Sequence, residues 1–243
     1  MNKSRMLLSI PCLYGVEHTK ECIESVVYKE GIDLLLIDNG AEDSVKRLLK
    51  SYENHFDSVK VLHNEVNTFV NPALNQGLQY FLEHPEYEYL ILINSDLILY
   101  NNWDEVVRKR LAVNPDEICM PKIIDDKLFE NISVGSDVVE GTIITGGVNG
   151  VFMIMNRKQA QIISPFPSEI LIWFGDNHVY DILRGVGYKT VMSDNFLGFH
   201  HMSQNVQKVI GISEMIETDK VNWATIVEPR VQEIIKNYNA NNK

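Results

Sequence analysis

LILINSDLILY, residues 90–100, is the stretch that decides how the rest of the chain is read. Residues 90–93 are apolar without interruption, the pattern of a strand buried on both faces, and then Asn94, Ser95 and Asp96 arrive together as the chain turns. Towards the N-terminus the same unit recurs. Residues 6–10, 34–37 and 59–62 are short runs dominated by apolar residues, followed by Pro11 and Cys12, by Asp38, Asn39 and Gly40, and by Asn64. Between them apolar residues repeat at helical spacing: Cys22, Ile23, Val26 and Val27, then Val45, Leu48, Leu49 and Tyr52, then Leu74, Leu78, Phe81 and Leu82. Right-handed crossovers turn this βαβαβαβ order into a parallel sheet whose strand C-termini share one edge, the edge where ligands bind in such sheets. Asp96 at that edge is a hard oxygen donor suited to a divalent cation carrying a diphosphate. Asn, Asp and Gly also close turns for local reasons, so the motif alone leaves both readings open.

Composition narrows the classes. A chain of 243 residues with 45% hydrophobic and 23% charged residues has the balance of one globular α/β domain. A formal charge of -11 argues against non-specific attraction to nucleic acid or anionic lipid, both of which call for a cationic surface. Cys12, Cys22 and Cys119 are odd in number and form no CxxC pair, which speaks against a disulfide scaffold or structural zinc and for a reducing, cytoplasmic setting. The run at residues 6–10 is short and stopped by Pro11, a first strand rather than a signal-peptide core, and no segment has the length of an apolar membrane span. Any membrane association is expected to be peripheral.

Beyond Tyr100 the periodicity weakens. A helix is expected around residues 179–184, a strand at 195–199, and an amphipathic helix from Pro229 carrying Val231, Ile234, Ile235 and Tyr238, with its last residues fraying. The expected division is 1–205 as one domain, in two halves at 1–100 and 101–205, and 206–243 as a C-terminal helical extension.

Six segments in this order resemble glycosyltransferase family 2. SIPCLYG (9–15) resembles its opening strand and loop, LLLIDNGAEDS (34–44) the strand bearing its nucleotide-binding aspartate, and NPALNQGL (71–78) its Asn-Gly helix. LILINSD resembles the Asn-x-Asp form of the DxD motif, GGVNGVFMIMNRK (146–158) the glycine-led acceptor strand, and WFGDNHVYDILRGVGYKT (173–190) the Glu-Asp region. Asn94 stands where the first Asp of DxD is common, Gly175 where Glu is common and His178 where a second Asp is common.

The resemblance implies a GT-A fold, a Rossmann-like nucleotide-binding half fused to a smaller acceptor-binding half, and inverting transfer of a sugar from a nucleoside-diphosphate donor. It implies that Asp38 accepts the ring N–H of the base, uracil first, so that the donor is a UDP-sugar. Pro11, Cys12, Asn39, Asn64, Asn75, Asn94, Ser95 and Gly147 are the further donor-site candidates. Asp96 is the metal ligand, joined by His200 as first choice or His201 as second, and a metal taking an imidazole is manganese rather than magnesium. Asp176 is the implied base that removes the acceptor hydroxyl proton. The acceptor stays open among glycan, glycolipid, protein and others. Two rivals stand beside this reading: a nucleotide-sugar-binding module without catalysis, and a nucleotidyltransferase, against which the absence of Lys and Arg from SIPCLYGVEH counts.

Overall fold

Strand β1, Met6–Cys12, sends Met6, Leu8, Ile10 and Cys12 to one apolar core and Leu7 to the other, as the two-residue period of a strand requires. The computed structural model describes residues 5–124, 141–143, 150–201, 209 and 211–242. Strands β2 (Ile32–Asn39), β3 (Val59–Asn64) and β4 (Tyr89–Ile93) lie parallel to β1, and β8 (Phe152–Asn156) closes that sheet antiparallel to β4, in the order β3-β2-β1-β4-β8. Helices α1 (Val16–Val26) and α2 (Asp43–His55) cover one face with residues such as Ile23, Val26, Val45 and Leu49. Helix α3 (Val70–Glu83) covers the other with Leu74, Leu78 and Phe81. The expected βαβαβαβ order is present.

Immediately after β4 the chain changes sheet. Residues 94–96 link β4 to the short β5 (Leu97–Leu99), which belongs to a second sheet ordered β5-β9-β6. Strand β9 (Thr190–His200) is antiparallel to β5 and parallel to β6 (Ile118–Ile124), and β7 (Gly141–Ile143) pairs with β9 as well. Asn94, Ser95 and Asp96 therefore sit at the crossing between two sheets.

Helix α4 (Trp103–Val113) buries Trp103, Val106, Val107 and Leu111 in the first core. Helix α5 (Arg157–Ile163) starts in a capping box: Asn156 accepts from the Gln159 backbone N–H at 2.9 Å, and Gln159 accepts from the Asn156 N–H at 2.8 Å. Helix α6 (Gly175–Gly185) contributes Val179, Tyr180, Ile182 and Leu183 to the second core.

The C-terminal residues pack into that same core. Helix α7 (Ile212–Asn222), a π-helical turn at Trp223–Val227 and α8 (Glu228–Asn241) bring in Trp223, Val227 and Val231. Trp223 stacks on Phe174 with ring centroids 5.3 Å apart, and Arg230 pairs with Glu169 at 2.7 Å. Among the described residues no helix is long and apolar enough to cross a membrane.

Candidate active site

The strand ends converge as the sheet register dictates. Asp38 and His63 are partners across β2 and β3, as are Asn39 and Asn64, so each pair has side chains on the same face. His63 Nδ1 lies 3.0 Å from Asp38 Oδ2, and the Ala41 N–H donates to Asp38 Oδ1 at 2.8 Å. Asp38 is thus almost fully buried and braces its own turn while keeping unused lone pairs on both oxygens. Asn39 organises the loop after β3: its Oδ1 accepts from Asn64, Thr68 N–H and Thr68 Oγ1, and its Nδ2 donates to Asn67 and to the Phe69 carbonyl. That loop crosses directly over Gly40, where a Cβ would stand 2.5 Å from the Asn67 nitrogen; φ at Gly40 is 68°, so only glycine suits the position.

A cleft of about 750 Å³, counted to its open mouth, lies along this edge. Pro11, Asn39, Asn94, Ser95, Asp96 and His200 line it, six residues expected from the sequence. Leu13, Asn67, Phe69, Val70, Ile172, Val209 and Ile212 complete the wall. Phe69 is held at φ 68°, an unfavourable conformation for a bulky side chain, at the N-terminus of α3. Val209 and Ile212 come from the region read as an extension, which therefore contributes to the cleft.

Asp96 and His200 meet because Leu97 is the register partner of His200 across β5 and β9. His200 Nε2 stands 3.3 Å from Asp96 Oδ1, with both side chains about nine-tenths buried. Adjacent residues of a strand point to opposite faces, and His201 accordingly turns away from the cleft, its Nε2 3.5 Å from Glu21 Oε2 on α1. Its backbone N–H still donates to the Asp96 carbonyl at 2.9 Å. A metal with bonds near 2.1 Å holds adjacent octahedral ligands about 3.0 Å apart, so Asp96 and His200 fit a divalent cation with little movement.

The other candidates that fall among the described residues lie off the cleft wall. Cys12 is buried with its thiol donating to the Ile10 carbonyl, and burial pushes that thiol well above its usual range. Asn64 is spent on Asn39 and Gln76. Asn75 faces elsewhere: its Oδ1 accepts from Phe166 N–H at 3.1 Å, so its place is in bracing the chain after α5. Gly147 lies outside the described residues.

Asp176 occupies the first turn of α6 and does not wall the cleft. It stands one step from the rim: a Cβ on Gly150 would lie 3.0 Å from the Asp176 Cβ, and the next residue, Val151, accepts the Asn94 N–H at 3.2 Å. Burial raises its pKa above the ordinary aspartate value, with Asp181 adding to the rise and the Asn177 N–H opposing it. Gly175 precedes it because Asn71 Oδ1 fills the space: a Cβ there would come within 2.2 Å of that oxygen. His178, where the family often has Asp, is a core residue. Its ring Nε2 donates to the Ile163 carbonyl at 2.8 Å, and burial lowers its pKa.

Sequence reading missed the support of the 170–174 loop. Asn71 donates to the carbonyls of Ile170 and Trp173. Asp219, buried on α7, accepts three backbone N–H bonds, from Leu171 at 2.9 Å, Ile172 at 2.8 Å and Trp173 at 2.9 Å. One carboxylate thus fixes the loop that carries Ile172 into the cleft and leads into Asp176. Nothing periodic in the sequence marks Asp219; beside Glu214 and Glu217 it reads as one more solvated acid.

Comparison with known proteins adds to this geometry. Residues 10–161 match the sequence profile described as Glycosyl transferase family 2. No curated protein matches the chain in sequence. Among solved structures, S. aureus TarS superposes with a TM-score of 0.63 at 12% identity, over 96% of this chain and 42% of the TarS chain. TarS 1–349 in complex with UDP-GlcNAc gives 0.63 at 12% identity over 96% of this chain and 71% of that one. The mannosyltransferase PcManGT from Pyrobaculum calidifontis, in complex with GDP-Man and Mn2+, gives 0.64 at 11% identity, covering 98% of this chain and 75% of its own. At such identities the likeness shows a common fold, GT-A, and the chain spans less than half of the TarS chain.

Proposed function

The chain belongs to glycosyl transferase family 2, and from that premise we propose that it is an inverting transferase moving a sugar from a nucleoside diphosphate, UDP first, to an acceptor hydroxyl with a divalent metal. The observation that carries this reading is the Asp96–His200 pair, 3.3 Å apart in the wall of a cleft at the crossing of the two sheets. Structural neighbours support it: TarS 1–349 has been solved with UDP-GlcNAc, and PcManGT with GDP-Man and Mn2+.

In this reading residues 1–100 hold the donor and 101–205 face the acceptor, while 206–243 complete the cleft and brace the 170–174 loop. Pro11, Asn39, Asn94 and Ser95 line the donor site, and Asp38 offers a remaining lone pair to the uracil ring N–H. Asp96 and His200 hold the metal; a carboxylate with an imidazole favours manganese over magnesium, which keeps to oxygen. When bound, the metal supplies positive charge for the departing diphosphate. Asp176 does the proton chemistry. Its carboxylate takes the acceptor hydroxyl proton as that oxygen bonds to the anomeric carbon and the bond to the diphosphate breaks, and a single displacement inverts the configuration. A pKa raised by burial makes this carboxylate a stronger base than an exposed one.

The test is a panel of UDP-, GDP- and CDP-sugars incubated with Mn2+ or with a chelator, read as release of nucleoside diphosphate. UDP-sugars with Mn2+ are expected to lead. Cytosine lacks the N–H that Asp38 would accept, and a hydrogen bond to a charged group is worth about 1.5–3 kcal/mol, or roughly 10- to 150-fold in affinity. Absence of both release and binding across the panel would sink the proposal.

A further inference from the structure

Behind the proposed donor centre, on the opposite face of the end of β9, three ligand-type side chains converge that the proposed mechanism does not use. His18 and Glu21 occupy positions i and i+3 of α1, the spacing that puts two side chains on one helical face. His201 reaches them from the end of β9, with its imidazole 4.2 Å from that of His18, centroid to centroid, and its Nε2 3.5 Å from Glu21 Oε2. His18 Nδ1 lies 4.0 Å from the same oxygen. One donor atom from each of the three fits within 4.8 Å of the other two.

We propose that His18, Glu21 and His201 form a second divalent-cation site, of the zinc type, separate from Asp96 and His200. Two imidazoles and one carboxylate suit zinc in chemistry and number, leaving a fourth position to water. Around a tetrahedral zinc with bonds of about 2.0–2.1 Å the donor atoms stand about 3.3 Å apart, so the cluster has to contract by roughly 1 Å or less on most edges. The two more exposed members, both on α1, can make that movement: the Glu21 side chain is 52% accessible and that of His18 28%, against 8% for His201. The site is therefore open to an ion from solvent yet anchored by a buried ligand. It joins elements that are distant in sequence. His201 also holds the Asp96 carbonyl through its backbone N–H, so a cation here clasps α1 to the strand end that presents His200.

A cation at this site needs neither turnover nor nucleotide, and neither is used to detect it. The full chain, freed of any affinity tag and of nucleotide, is titrated with Co2+, followed by visible absorption, and then challenged with Zn2+. One equivalent of cobalt with the intense bands of low coordination, displaced by zinc, is expected for the native protein. Thermal unfolding is expected to shift upward with zinc. His18→Asn and Glu21→Gln, both at accessible helix positions, should fold normally without metal and lose the cobalt bands, with affinity at least tenfold weaker. Asp96→Asn should keep them. Undiminished bands in His18→Asn and Glu21→Gln, or bands lost in Asp96→Asn, would overturn the assignment; the second result would move the ion to the donor centre.

Discussion

Asp219→Asn perturbs the loop beneath the proposed base without touching the cleft directly. In the native structure Oδ1 takes the Leu171 N–H and Oδ2 takes those of Ile172 and Trp173. An asparagine has one acceptor oxygen. Turned to the Oδ2 place it keeps two bonds in weaker, neutral form and sets an NH2 against the Leu171 N–H. A buried N–H left without a partner costs about 1–3 kcal/mol, and a charged acceptor is worth roughly twice a neutral one, so the expected loss is about 2–4 kcal/mol. For a domain of this size each kcal/mol moves Tm by about 2–4 °C, which puts the fall at roughly 4–16 °C. Differential scanning calorimetry measures it. The stabilisation given by UDP with Mn2+ should shrink as well, because the loop carries Ile172 into the cleft. A variant melting within about 1 °C of the native protein, with ligand stabilisation intact, would refute the bracing role.

Other expectations concern the metal and pH. Asp96→Asn replaces an anionic ligand by a neutral amide and should weaken Mn2+-dependent nucleotide binding by tenfold or more in calorimetric titration; an unchanged manganese dependence would remove Asp96 from the centre. His200→Ala should reduce Mn2+-dependent UDP affinity more than His201→Ala does, and the reverse order would show that the cleft-facing histidine is not the ligand. Burial raises the Asp176 pKa in the folded state, so its contribution to stability is present at acid pH and declines as pH rises through that raised value. Asp176→Asn should therefore unfold at a higher temperature than the native protein above that pKa, with the gap closing in acid; a lower Tm for the variant at pH 8 would contradict the sign.

Much of this was legible in the sequence where periodicity is strong. The runs at 6–10, 34–37, 59–62 and 90–93 are the cores of β1 to β4, and the strands extend beyond the runs to include Cys12, Asn39 and Asn64 because polar residues pair in the ladder as readily as apolar ones. Helix α6 begins at Gly175, four residues before the apolar pattern at 179–184 does, and β9 begins at Thr190 rather than 195. Helices α4 and α5 were not read, and α7 was expected only as an undivided part of the C-terminal helical extension. In α7 the residues that matter are Asp219 and the cleft-lining Ile212, which form no apolar stripe. At the site, convergence of strand ends was readable because it follows from parallel topology. The direction of Asn75 was not, since a helix's neighbours are set by packing. His200 and His201 could be separated only once the register of β9 against β5 was known.

The measurement that bears most directly on the central claim is the rate of nucleoside-diphosphate release from the preferred donor by Asp176→Asn beside the native protein, with UDP and Mn2+ stabilisation recorded on the same samples. The amide keeps the shape of the side chain and loses the ability to take a proton, so the rate should fall by about 10² to 10⁴ while ligand stabilisation persists. Near-native release by the folded variant would contradict the account and remove Asp176 as the base.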